Sequence, residues 1–153
     1  MLSEFTDQEI LDEYRLRVNS LREDKAKINS ACKASLKLIE HFKTLDDSRE
    51  SFVIMYLTTQ NELIAIETLF TGTINSSAVY PREIIKAVLA NNAQCVILAH
   101  NHPSGETSPS NSDRAVTAKI KTALDSIDVN LLDHVIIGSG TLETYSFTDH
   151  NLL

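Results

Sequence analysis

Residues 95–113 read CVILAHNHPSGETSPSNSD, and this stretch decides both the fold and the chemistry that we expect. It opens with a short, uninterrupted apolar run, Cys95 to Ala99, which is typical of a strand buried on both faces. Two histidines follow at positions 100 and 102, and side chains two residues apart on an extended backbone point to the same side. The sequence therefore predicts that His100 and His102 project together from the end of a buried strand.

A turn and a helix start follow the two histidines. Residues 103–105 are Pro-Ser-Gly, and Ser110 stands three residues before Asp113, the spacing of a capped helix start. Capping would fix the direction of the Asp113 side chain. Two imidazoles and one carboxylate are zinc ligands, and three protein ligands leave a fourth position for water, as in catalytic zinc sites. We predict a metal site at His100, His102 and Asp113, the alternative being polar loop residues beside a helix cap.

The chain begins with two predicted helices. Thr6 and Glu9 have the capping-box spacing, so the first helix is expected to start at Thr6. The apolar stripes of the two helices are Ile10, Leu11, Tyr14, Val18 and Leu21 in the first, and Ile28, Cys32, Leu36, Ile39 and Phe42 in the second. We assign residues 1–27 to an N-terminal helical extension used for packing or self-association into a homo-oligomer. Residues 28–153 form the main domain.

After position 48 the apolar residues follow the pattern of strands. The predicted elements are strand 52–57, turn 60–62, strand 63–69, loop 72–78, helix 81–91, strand 95–99, helix 110–127, strand 129–137 and strand 142–147. The helix that starts at Pro81 is expected to face inward with Ile84, Ile85, Val88 and Leu89. Together these elements predict an α/β sandwich of helices against one sheet.

The composition excludes several classes of protein. Hydrophobic residues make up 42% of the chain and charged residues 23%, as in globular domains. No apolar run is long enough to cross a bilayer, and the first twenty residues hold no signal-peptide core, so we expect a cytoplasmic chain without membrane association. Cys32 and Cys95 lie in apolar segments and are expected to be buried free thiols.

Charge argues against a nucleic-acid partner. The net charge is −7; residues 1–49 hold nine Lys/Arg and ten Asp/Glu, whereas residues 50–153 hold five and eleven. Proteins that bind nucleic acid neutralise phosphates with a basic surface. We therefore expect no direct nucleic-acid binding by the part of the chain that carries the predicted metal site.

The histidine segment resembles the JAMM signature H-x-H-x7-S-x2-D, in which His100, His102, Ser110 and Asp113 fill the fixed positions. With Gly72-Thr73 and Pro81-Arg82-Glu83 upstream and LDHVIIG at 132–138 downstream, the chain is similar to RadC-like JAB/MPN domains over roughly residues 30–148. The resemblance implies a cytidine-deaminase-like fold with a mixed central sheet flanked by helices. It also implies a zinc-dependent peptidase or isopeptidase.

The same resemblance implies roles for further residues. JAMM enzymes use a glutamate near the start of an early strand as general base, and Glu50 stands there, an exposed structural glutamate being the alternative. Glu83 is the competitor, although a carboxylate is favourable in a first helical turn in any case. Ser110 would donate a hydrogen bond to the oxyanion. Zinc would polarise the scissile carbonyl and acidify a water whose proton Glu50 accepts and passes to the leaving amine of an unidentified peptide or protein.

Other interpretations stay open. A zinc nucleobase deaminase would need P-C-x-x-C, and no cysteine pair has that spacing. A non-catalytic metal-binding scaffold or DNA-repair-associated interaction module is the stronger alternative. Long RadC proteins carry helix-hairpin-helix DNA-binding elements, and residues 1–27 show no matching glycine-containing hairpins. Asp133 and His134 are neighbours on a strand: either one orients a ligand histidine or both are structural. His41 and His150 are expected at the surface.

Overall fold

A computed structural model describes residues 6–14, 27–28, 30–75 and 77–153. Its helices are α1 (7–14, the described part), α2 (Ala31–Phe42), α3 (Pro81–Ala90) and α4 (Asn111–Asp125). Its strands are β1 (Ser51–Leu57), β2 (Leu63–Thr71), β3 (Cys95–His102), β4 (Asn130–Gly138) and β5 (Thr144–Ser146). No helix within these described ranges is long and apolar enough to span a membrane.

The five strands form one mixed sheet in the order β2-β1-β3-β4-β5. β3 and β4 are parallel, and the other neighbours are antiparallel. All of β1 is buried, as is β3 up to Asn101, because both faces of the sheet are covered. The predicted α/β fold, with helices packed on one mixed sheet, is confirmed.

Each face of the sheet has its own apolar core. On one face, side chains of α3 and α4 pack against alternate β1 and β3 residues such as Ile54 and Leu98. On the other face, α2 packs against the residues between them, such as Met55 and Ile97. The alternation of side chains along β3 determines which face of the sheet carries the site. His100 is two residues after Leu98, so its side chain lies on the same face, the side of α4.

The crossover between the parallel strands brings the last ligand to the histidines. Parallel neighbours need a connection that returns over one face of the sheet, and α4 provides it between β3 and β4. The start of α4 therefore follows the end of β3 after a loop of residues 103–110. Asp113, in the first turn of α4, is placed beside the end of the histidine strand.

The predicted stripe of α2 was wrong at Cys32 and Leu36, although Phe42 is buried as expected. Leu36 is 61% exposed and Cys32 is exposed, whereas the buried residues are Ala34, Leu38 and Phe42. The helix carries two apolar stripes that are offset by two residues, which is about 200° around its axis. The sheet covers the stripe that begins at the small Ala34. Ile28 also lies outside this helix, because Ser30 caps its start.

Smaller differences concern α3 and the N-terminal helix. Ile84 and Val88 are buried as predicted, but Leu89 is 63% exposed because α3 is covered on one side only. The capping contacts between Thr6 and Glu9 confirm the predicted helix start. Ile10, Leu11 and Tyr14 are exposed in this chain. Val18 and Leu21 lie outside the described residues, and self-association through this helix stays a prediction.

Candidate metal centre

Three potential ligand side chains converge where β3 ends and α4 begins. His100 Nε2 lies 3.0 Å from His102 Nε2 and 3.2 Å from Asp113 Oδ1, and His102 Nε2 lies 3.1 Å from Asp113 Oδ2. His100 and Asp113 are buried, whereas His102 is partly exposed. The structure thus brings together the three residues that the sequence predicted as ligands, and they could hold a metal ion.

The separation of the two histidine nitrogens fits a tetrahedral cation. Ligand atoms bound to zinc at 2.0–2.1 Å lie about 3.3 Å apart when the angles are tetrahedral. The two histidine Nε2 atoms are 3.0 Å apart, close to this edge length, and each lies within 3.2 Å of a different carboxylate oxygen of Asp113. With one ligand atom taken from each residue, the three atoms lie within 4.8 Å of one another. His102 Nδ1 donates to the carbonyl oxygen of Glu106 at 2.7 Å, so that its Nε2 is left to bind a cation. The residues therefore fit a divalent metal with nitrogen and oxygen ligands.

The capping box fixes the carboxylate. Ser110 Oγ accepts from the backbone N–H of Asp113 at 3.0 Å, and the backbone N–H of Ser110 donates to Asp113 Oδ2 at 2.8 Å. The predicted cap is therefore confirmed. Ser110 itself is exposed, and its hydroxyl proton is not used by the cap. The same contacts that start α4 hold Asp113 towards the histidines.

Electrostatics at the centre favour a bound cation. Burial works against ionisation of Asp113, but the neighbouring imidazoles of His100 and His102 and the backbone N–H of Ser110 hold the pKa of this carboxyl well below its usual range. The hydrogen bond to Asp113 raises the pKa of His102, and the Glu50 carboxylate adds to this shift. Without a metal ion, a proton on His102 can therefore compensate the negative charge of Asp113.

This proton would make the binding of a metal ion such as zinc pH-dependent. The raised pKa of His102 stabilises the metal-free fold below the unfolded value of about 6.5, and this contribution is lost as pH rises through the folded value. A metal ion that binds His102 would have to displace the proton at low pH. We expect the rise in melting temperature on adding zinc to be larger at about pH 8 than at about pH 6. Thermal melts with zinc or chelator measure it, and an equal rise at both values would contradict this electrostatic account.

Glu50 lies next to the histidine strand. Phe52 of β1 pairs with His100 of β3 in antiparallel register, and continuing this register by two residues places Glu50 beside His102. Glu50 Oε2 accepts from the backbone N–H of Ile74 at 2.8 Å. Glu50 also lines an open cleft of about 530 Å³ together with Pro103, which follows His102. The competing Glu83 is exposed in the first turn of α3.

Asn101, which was not among the predicted site residues, connects the two neighbours of Glu50 to the histidine strand. Its side chain lies on the opposite face of β3 from His100 and His102. Its Oδ1 accepts from Ser51 N at 2.7 Å, and its Nδ2 donates to the carbonyl oxygen of Arg49 at 3.0 Å. The two neighbours of Glu50 are thus bound to the residue between the histidines. The signal in the sequence was a polar residue between the two histidines, at the strand position whose side chain points to the opposite face.

The open question about Asp133 and His134 has a mixed answer. His134 Nε2 lies 2.7 Å from His100 Nδ1, so His134 is the member of the pair that contacts a ligand histidine. Asp133 accepts from Ser146 Oγ and the N–H of Thr148, and it holds the C-terminal turn. Burial lowers the pKa of His134.

The prediction that His41 is a surface residue was wrong, because it is half-buried and lies 3.0 Å from Thr68 Oγ1.

Gly138, the last residue of β4, supports the turn that follows the histidines. It pairs with His102, and a Cβ there would overlap the carbonyl oxygen of Gly105 and lie 2.7 Å from Thr141 Oγ1. Because the first contact is with backbone, Gly138→Ala must displace the turn. We expect a loss of about 1–3 kcal/mol in the free energy of unfolding, with weaker zinc binding. Denaturant unfolding and zinc titration measure the two effects.

Gly140 provides the matched control for this substitution. A Cβ there meets no atom within 4 Å, although the φ of +72° is left-handed. Gly140→Ala should therefore cost about 1–2 kcal/mol through the backbone alone and leave zinc affinity unchanged. Equal zinc affinities for Gly138→Ala and Gly140→Ala would show that Gly138 does not support the site.

Comparison with known proteins now identifies the family. UPF0758 protein YeeS of Escherichia coli (strain K12) is 52% identical over 105 residues, which are 69% of this chain and 70% of that protein. UPF0758 protein YkfG of the same strain is 52% identical over 105 residues, which are 65% of its length. UPF0758 protein PSHAa2643 of Pseudoalteromonas translucida is 51% identical over 105 residues, and the chain spans less than half of it, 46%. Residues 28–152 match the RadC-like JAB domain, and the chain belongs to that family.

Proposed function

We propose that this chain is a zinc-dependent hydrolase of the JAMM type, a peptidase or isopeptidase that cleaves an amide bond in a peptide or protein. The observation that carries the proposal is the convergence of His100 Nε2, His102 Nε2 and the Asp113 carboxylate, with one ligand atom from each residue within 4.8 Å of the others. A structural zinc site has four protein ligands, whereas three leave a position for water or substrate. Membership of the JAB domain family supports the same chemistry.

His100, His102 and Asp113 would hold the zinc ion, which when bound acidifies a water and polarises the scissile carbonyl. Glu50 would act as general base and then as acid towards the leaving amine. Its Oε2 is already bound by Ile74 N, so its other carboxylate oxygen is left for proton transfer. The contacts of Asn101 with both neighbours of Glu50 would keep this carboxylate at the mouth of the site.

Ser110 would stabilise the oxyanion. Its Oγ accepts from the N–H of Asp113, which fixes the oxygen at the edge of the centre while its hydroxyl proton stays available. Its exposure would allow that proton to reach a substrate oxygen. Capping and catalysis would then use different parts of one hydroxyl group.

The charge of the chain supports a peptide rather than a nucleic-acid substrate. Residues 50–153 carry a clear excess of acidic side chains, and Glu50 lines the open cleft next to Pro103. An acidic surface repels phosphate backbones, whereas an open cleft admits an extended peptide. The alternative is a non-catalytic metal-binding scaffold that joins a larger assembly, and the experiment must distinguish it from a hydrolase.

The test is turnover of peptide and lysine-ε-isopeptide libraries. The purified chain is assayed with zinc, with a chelator, and after zinc is restored, and a His102→Ala preparation controls for contaminating proteases. We expect hydrolysis that the chelator abolishes and zinc restores. Zinc binding without turnover of any library member would support the scaffold, and turnover that resists the chelator would contradict a metal-dependent mechanism.

A further inference from the structure

A buried chain of hydrogen bonds leads from the backbone of one candidate ligand to the ring of another. Thr117 Oγ1 donates to the carbonyl oxygen of Asp113 at 2.7 Å and lies 2.5 Å from His134 Nδ1. His134 Nε2 lies 2.7 Å from His100 Nδ1. All three side chains are at most 1% exposed, so solvent does not compete for these contacts. These hydrogen bonds connect α4, β4 and β3 behind the metal centre.

The hydroxyl group of Thr117 determines which atom is the donor in the hydrogen bonds of this series. A carbonyl oxygen can only accept, so the single hydroxyl proton of Thr117 is directed to Asp113. Thr117 Oγ1 must then accept from His134, which places a proton on His134 Nδ1. This assignment follows because a hydroxyl group has a single proton to donate.

The surroundings of His134 fix the next proton. Its ring stacks on Phe147 with centroids 4.7 Å apart and packs edge-on against Phe52 at 5.9 Å. A second proton would create a wholly buried cation against these apolar rings, which is unfavourable. With one proton on Nδ1, His134 Nε2 carries a lone pair and accepts from His100 Nδ1. In the neutral His100 ring Nε2 is then without a proton, and this is the atom that faces His102 and Asp113.

We propose that Thr117 and His134 are positioning residues that keep His100 in the tautomer whose Nε2 lone pair faces the metal site. The inference rests on the proposed function, because it gives these two residues a purpose in zinc binding. If Thr117 loses its hydroxyl group, His134 Nδ1–H loses its acceptor. His134 then gains by carrying its proton on Nε2 and donating to His100, which moves the proton of His100 to the metal-binding nitrogen.

The test compares two substitutions of Thr117. Thr117→Val keeps the branched shape and removes the hydroxyl group, whereas Thr117→Ser keeps the hydroxyl group and serves as the matched control. Zinc affinity is measured by competition with a chelating dye. We expect Thr117→Val to bind zinc about 10–100-fold more weakly and Thr117→Ser to stay close to wild type. Equal affinities for Thr117→Val and wild type would overturn the proposal.

The tautomers provide a readout that a merely structural role would not change. In metal-free wild-type protein at about pH 8, where an ordinary histidine is neutral, ¹⁵N NMR of labelled histidines should show His134 protonated at Nδ1. It should also show His100 protonated at Nδ1, with coupling across the N–H···N bond. In Thr117→Val both protons should move to Nε2. Wild-type protein with the His134 proton on Nε2 would overturn the proposal, whether or not the variant folds.

These measurements separate this proposal from the proposed function. The tautomers are read without metal and without substrate, so they stand even if no hydrolysis is found. A wild-type protein with the expected tautomers and no zinc affinity would contradict the proposed function. Zinc affinity with the opposite tautomers would contradict only the role of Thr117 and His134.

Discussion

Glu50→Gln lowers the rate of amide hydrolysis by roughly two to four powers of ten, the usual contribution of a general base. Glutamine keeps nearly the same shape but cannot accept the proton of a water. It can still accept the hydrogen bond from Ile74 N, so the start of β1 should keep its structure. Zinc content and melting temperature should therefore remain near the wild-type values, and the rate on a substrate found in the library measures the effect.

Glu83→Gln is the matched control for this prediction. Glu83 is exposed in the first turn of α3, where its carboxylate interacts with the helix dipole. We expect its loss to change stability slightly and the rate hardly at all. Full turnover in Glu50→Gln together with inactive Glu83→Gln would show that the general base is Glu83.

Asp113→Asn and His102→Ala lose zinc as well as activity. Asp113 is a buried carboxylate within 3.2 Å of both histidine Nε2 atoms, and an amide in its place is a weaker ligand without the negative charge. His102→Ala removes one of three ligands. Because zinc stabilises only the folded state, both variants should also lose the rise in melting temperature that zinc gives the wild type. Elemental analysis and thermal melts measure these losses.

His150→Ala is the control for the histidine substitution. His150 is exposed, and its ring stacks on Tyr145 at a centroid distance of 3.9 Å. Its loss should leave zinc content unchanged. Wild-type zinc content in Asp113→Asn and His102→Ala would show that the metal binds elsewhere in the chain.

The features that the sequence predicted correctly are local ones. The doubly buried strands β1 and β3 appear as apolar runs, and the start of α4 appears as Ser110 three residues before Asp113. The grouping of His100, His102 and Asp113 belongs to the same class, because two histidines on one strand and a capped aspartate lie within fourteen residues. Each signal depends on the preferences of a short segment, so it could be recognised without knowledge of the tertiary structure.

The features that the sequence missed depend on packing between distant segments. α2 has two apolar stripes, and only the approach of the sheet determines that Leu38 is buried while Leu36 is exposed. The contact between Thr117 and His134 likewise arises where α4 crosses β4. The contact of Glu50 with Ile74 comes from a loop that the sequence left without a role. None of these contacts is indicated by a pattern among neighbouring residues in the sequence.

X-ray absorption at the zinc edge of the zinc-loaded wild-type protein tests the central claim most directly. We predict about one zinc per chain, with about four nitrogen and oxygen ligands at roughly 2.0–2.2 Å and the multiple scattering of two imidazoles. One of the four should be a water that a small ligand can replace. A sulfur shell at about 2.3 Å, which would indicate Cys32 or Cys95, or a site without two imidazoles, would contradict the assignment of the metal to His100, His102 and Asp113.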